Sequence, residues 1–141
     1  MPKLILTSIL LFLFSSCISL DMKDNSKWQK FGSTFLNDLY NKRYQNCISS
    51  MDNIVKVAFK DVNLDSAFNM LSNKVRNDYG GQISSTLISS EKTFHENLPA
   101  TFLIFKVESA DKYGYYYFYV NDKTNKILLV SEFSLVKEKR K

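Results

Sequence analysis

The stretches Thr101–Glu108, TFLIFKVE, and Tyr115–Val120, YYYFYV, decide the fold. Both are dense in aromatic and β-branched residues, which suit a pleated, half-buried surface. Ala110–Gly114 between them is short and turn-prone, so the two read as adjacent strands of an antiparallel hairpin. In a strand successive side chains point to opposite faces. Tyr116, Phe118 and Val120 then form the apolar face, expected against the helices, and Tyr115, Tyr117 and Tyr119 share the other.

Two further strands flank this pair. Ile83–Phe94 alternates weakly and is rich in Ser and Thr, as a strand with one exposed face would be. Asn97-Leu98-Pro99 is expected to break it. Asn121–Asn125 reads as a second turn, followed by a last strand over Ile127–Val136.

Upstream of Gly81 the period is helical. Trp28, Phe31, Phe35 and Leu39 recur on one stripe, widened by Leu36 and Tyr40, with Asp24, Asn25 or Ser26 as the N-cap. Gly32 interrupts this helix and is expected to mark close packing on another element. A short helix follows over about Tyr44–Asp52, with Tyr44, Cys47, Ile48 and Met51 inward. Ile54–Phe59 is apolar and β-branched, and its pattern fits helix and strand alike. Leu64, Ala67, Phe68, Leu71, Val75 and Tyr79 form a third stripe, capped by Asp61 or Asn63 and stopped at Gly80 in the left-handed region. Helices first and strands afterwards predict an α+β domain: helices packed on a curved antiparallel sheet of about four strands. Phe35, Leu39, Phe68, Leu71, Phe105 and Phe118 are the expected core.

The order of elements resembles a group of bacterial domains of unknown function with a cystatin-like, NTF2-like cone. The residues that carry the resemblance are Trp28 on the first helix, Tyr40–Cys47 (YNKRYQNC), the helix ending Tyr79-Gly80, and the strands that follow. The arginine such domains often place just before that glycine corresponds to Arg76. The resemblance implies a cone whose open mouth can hold a small ligand. It brings no catalytic residues with it.

The N-terminus carries an address. In Met1–Cys17, MPKLILTSILLFLFSSC, Lys3 supplies a positive start, Leu4–Phe14 an apolar run, and Ser15-Ser16 a small-residue site before Cys17. This resembles the lipobox of bacterial lipoproteins, with Phe14 where leucine usually stands. It implies a signal peptide over residues 1–16, a palmitate-type acyl anchor on Cys17 and a tether over 17–26. The single domain then covers 27–136 and a basic tail 137–141. The expected location is the bacterial cell envelope, held to the membrane by the N-terminal lipid. The alternative is an ordinary secretory signal and a secreted protein. A full membrane span is disfavoured, because Asp21, Lys23 and Asp24 follow Leu20 at once.

Composition narrows function mainly by exclusion. The 11 Phe and 8 Tyr are too many for a disordered chain. The formal charge is +5, and much of the excess sits in Lys137, Lys139, Arg140 and Lys141, expected to be a frayed, solvated end. The basic residues are not interleaved with aromatics, so no nucleic-acid surface is expected. With Cys17 acylated, Cys47 has no disulfide partner and reads as a buried small hydrophobe. His95 is the only histidine, and without a CxxC or a second His no metal site and no cofactor are expected. His95 reads as a surface residue. No G-x-S-x-G, H-E-x-x-H or phosphate loop occurs.

The tyrosine-rich strand is the one local feature with a functional reading. Tyr115, Tyr117 and Tyr119 form either cross-strand aromatic packing or a recognition face. The function expected is therefore a non-catalytic lipoprotein binding a protein or small ligand by this face or by the cone mouth. The alternatives are a small periplasmic or surface enzyme, and an inhibitor or immunity-type protein.

Overall fold

In the computed structural model of this chain, residues 24–132 and 136–140 are described. Helix α1 covers residues 24–40, followed by α2 (Tyr44–Ser50), α3 (Asn53–Ala58) and α4 (Leu64–Tyr79). Strands β1 (Ser84–His95), β2 (Leu98–Glu108), β3 (Lys112–Asn121) and β4 (Ile127–Glu132) pair in sequence order, all antiparallel. A two-residue β5 (Lys137–Glu138) adds to β3. The protein is an α+β fold: four helices packed with one curved, open antiparallel sheet.

Helix boundaries follow local chemistry. Asn63 caps α4, its side chain accepting from the Ser66 amide at 3.0 Å, and Gly80 ends it at φ +67°. Asp52 caps α3 in the same way, accepting from the Ile54 amide at 3.0 Å. Ile54–Phe59 thus resolves into a single helical turn and a half. Asp24, Asn25 and Ser26 do not act as N-cap residues, because all three are helical residues of α1. Asn25 instead accepts from the Ser90 hydroxyl and ties the helix to β1.

The break expected at Asn97-Leu98-Pro99 is tighter than that. Glu96 and Asn97 alone make the turn, both at positive φ (47° and 67°), and β2 begins at Leu98. Such a two-residue turn matches the twist of the strands it joins. Pro99 is tolerated because β3 pairing with β2 starts only at Ala100.

The core lies between α1, α4 and the inner face of the sheet. Phe35, Leu39, Phe68, Phe105 and Phe118 are buried as expected, with Trp28, Leu103, Val107, Tyr116 and Val120. Leu71 is only partly buried and packs at the margin of this cluster. Gly32 is the point of closest approach between helix and sheet: a Cβ there would lie 2.1 Å from Cζ of Phe105. Cys47 is fully buried and lies 4.0 Å from the Phe35 carbonyl. The tail is not frayed throughout. Lys137 and Glu138 pair with Tyr113 and Lys112, and the Lys139 amide donates to Asp111 at 2.7 Å.

Candidate functional site

Strand alternation sorts the sheet into two faces. Along β3, Tyr116, Phe118 and Val120 are buried, while Tyr113, Tyr115, Tyr117 and Tyr119 are half-buried. The outer face is completed by the residues directly opposite on β2: Phe102 faces Tyr119, Ile104 faces Tyr117, and Lys106 faces Tyr115. Leu129 on β4 lies beside Tyr119. The expected tyrosine face is therefore present on the side of the sheet away from the helices.

The rings on this face touch one another. His95 stacks on Tyr119 at 4.5 Å between centroids, and Phe102 packs on Tyr119 at 4.8 Å and on Tyr117 at 5.8 Å. Tyr117 and Tyr119 meet edge to face at 6.1 Å, as do Tyr113 and Tyr115 at 6.2 Å. His95 is thus part of the aromatic surface and not an isolated surface residue. One end of the face is charged. Lys106 lies over the Tyr113 ring and pairs with Glu108 at 2.9 Å, and Lys139 reaches Glu108 at 3.4 Å. Lys106 and then Lys139 hold the Glu108 carboxyl below its ordinary range.

A cleft lies at the N-terminal end of α1. About 690 Å³ in volume, it runs between Asp24–Gln29 and the β1 residues Leu87–Lys92, with Thr101 at its floor. Thr101 donates to Asp122 at 2.7 Å, and Lys92 pairs with the same carboxylate at 3.0 Å. The cleft is open to solvent, and its lining mixes polar groups with Trp28, Leu87 and Ile88. Among the described residues no set of three or more His, Cys, Asp and Glu is placed to hold a metal ion.

A second polar cluster sits at the opposite end of the sheet. Lys74 bridges Asp78 and Glu132, at 2.7 Å to the latter. The Tyr79 and Tyr116 hydroxyls and Oε1 of Glu132 are buried without a hydrogen-bond partner among the described residues. Burial pushes both phenols well above their ordinary range, so they stay protonated. Cys47 is likewise kept protonated: burial, then the charge of Asp38, pushes its thiol up to about 12.

Glu108 and Glu132 do not meet, because β3 separates their strands and they lie on opposite faces. Arg76 lies over the Tyr40 ring at 5.1 Å and donates to the Tyr40 carbonyl at 3.1 Å, joining α4 to the end of α1. Cys17 and the signal segment fall outside the described residues. No helix among the described residues is long and apolar enough to cross a membrane. Sequence reasoning missed one surface feature: α3 and the residues after it expose Ile54, Val57, Phe59 and Val62. Its signal was the apolar run Ile54–Val62, interrupted by Lys56, Lys60 and Asp61.

Comparison with family models, with curated proteins and with solved structures found no match.

Proposed function

We propose that this protein is a non-catalytic, lipid-anchored binding protein of the bacterial envelope, of the cystatin-like or NTF2-like kind. Its site for a protein partner is the outer face of the sheet. The observation that carries this reading is the continuous aromatic surface of His95, Phe102, Tyr117 and Tyr119, bounded at one end by Lys106 and Glu108. Tyrosine offers a large, rigid contact area with a polar tip and little entropy to lose, which is why interfaces are enriched in it. Cross-strand ring packing is compatible with this role, since it holds the surface rigid before contact. The one free thiol among the described residues, Cys47, is fully buried with its thiol pushed up, which argues against a role for it as nucleophile.

The test is affinity capture from envelope extract with the Cys17→Ser chain, beside a Tyr115, Tyr117 and Tyr119 triple Ser variant of it. A specific partner lost in the variant, with its circular-dichroism spectrum unchanged, supports the reading. Equal capture by both moves the site elsewhere, and turnover of an envelope substrate by the pure protein overturns the non-catalytic assignment.

A further inference from the structure

Helix α3 is apolar in sequence, NIVKVA, and contains no buried residue. Amphipathic helices of a folded domain normally bury their apolar side. Here Ile54 is 55 % exposed and Val57 62 %, and the turn that follows adds Phe59 and Val62 at 48 % each. The Lys60 amide donates to Val57 and the Val62 amide to Phe59, so the segment is a tight knob and not a loose loop. Four large apolar side chains held outward within nine residues need an occupant.

The position of the knob identifies one. Asp52, which caps α3, accepts from the Thr124 hydroxyl at 2.5 Å and from the Asn121 amide group at 3.1 Å. In the same β3–β4 turn, Asn125 accepts from Lys27 near the start of α1 at 2.8 Å. The knob and the start of α1 are therefore at the same end of the molecule. Only residues 18–23 separate Cys17 from residue 24. Even fully extended, that length reaches about 25 Å. An acyl chain on Cys17 would hold this end of the domain close to the bilayer. Lys56 and Lys60 lie within the knob, and Lys123 and Lys126 in the β3–β4 turn that Asp52 ties to it, with Asp61 opposing them, so the charge suits anionic headgroups.

We propose that residues 53–62 are a membrane-contact element, with Ile54, Val57, Phe59 and Val62 seated at the boundary between headgroups and acyl chains. This rests on the reading of Cys17 as the lipid anchor. The anchor supplies the affinity. The knob fixes the orientation, setting one end of the sheet against the bilayer and leaving the tyrosine face lateral and accessible. Side chains that lie in this boundary sink about 5–10 Å below the surface, which the exposed knob permits without any refolding.

The test is an environment-sensitive fluorophore on Val57→Cys in the full chain, reconstituted in vesicles of phosphatidylcholine and phosphatidylglycerol. The buried Cys47 does not compete for the label, and acylated Cys17 has no thiol. Position 57 is exposed, so the substitution leaves the core intact. A control probe goes on Asn73→Cys, an exposed position on α4. The expected result is a severalfold brightening at 57 on vesicles, quenched by nitroxide-bearing acyl chains, with no change at 73. A probe at 57 as wet as that at 73 overturns the contact. So does brightening that needs no vesicles and grows with protein concentration, which would mean the knob pairs with a second copy. Acylation is read separately with a palmitate analogue. An unlabelled chain refutes the anchor, whereas an unquenched probe on a labelled, vesicle-bound chain refutes the knob alone.

Discussion

Gly32→Ala tests the packing of helix on sheet, because local and tertiary effects predict opposite signs. In an exposed helix interior, alanine would stabilise by about 1 kcal/mol over glycine. Here the new Cβ would lie 2.1, 2.3 and 2.8 Å from three ring atoms of Phe105. Carbon atoms in contact sit about 3.5–4.0 Å apart, so either the helix or the ring must move by more than an ångström. The ring has nowhere to go: Phe105 is fully buried and packs edge to face on Phe118 at 5.5 Å. Overpacking of this kind costs about 1–3 kcal/mol, and contact with a whole ring edge places it at the upper end. Subtracting the helix gain leaves a net loss of about 2 kcal/mol, or roughly 10 °C in Tm for a domain of this size. Urea and thermal unfolding of the Cys17→Ser chain measure it. Phe105→Leu in the same chain should recover part of the loss, with a coupling of about 1–3 kcal/mol. A Gly32→Ala variant as stable as its parent, or more so, would refute the packing described.

Asp52→Asn should lower stability by about 1–3 kcal/mol, since the buried carboxylate accepts from Thr124, Asn121 and the Ile54 amide, and an amide cannot accept from all three. Burial pushes the Asp52 carboxyl up, but these donors and Lys56 outweigh it and leave it below its ordinary range. Its contribution is therefore present above about pH 4 and lost as pH falls further, and urea titrations in acid should show a shallower decline for the variant. Tyr79→Phe should be neutral or mildly stabilising, because the hydroxyl is buried without a partner among the described residues. The same change should relieve Gly114→Ala, whose Cβ would otherwise sit within 2.4 Å of that hydroxyl. The double variant should then melt above the Gly114→Ala single. Cys47 should resist thiol reagents at pH 8 in the folded protein and react promptly in denaturant, which a chromogenic disulfide reagent reports.

The sheet was readable because its two strongest strands declare their faces. Tyr116, Phe118 and Val120 alternate with Tyr115, Tyr117 and Tyr119, and the core could lie on only one side. Helix α4 was equally plain, with Asn63 and Gly80 marking its ends. Gly32 announced a close approach, but its partner Phe105 lies on a strand far along the chain, and no local pattern links them. The same distance hid the aromatic platform: His95, Phe102 and Tyr119 come together only through the register of three strands. Helix α3 was ambiguous because a run of apolar β-branched residues normally implies burial, and these stay outside. The basic tail misled through composition, since Lys137 and Glu138 find an open stretch of β3 to pair with.

The most direct measurement of the central claim is site-specific photocrosslinking in the expressing bacterium. A photoreactive phenylalanine analogue replaces Tyr117 on the outer face, or Asn73 on the exposed side of α4, in the otherwise native chain. The expected result is a discrete protein adduct from position 117, none from 73, and loss of the adduct when Tyr115 and Tyr119 are changed to Ser. Adducts from position 73 with none from 117, or none from either in cells where the chain is folded and abundant, would contradict it.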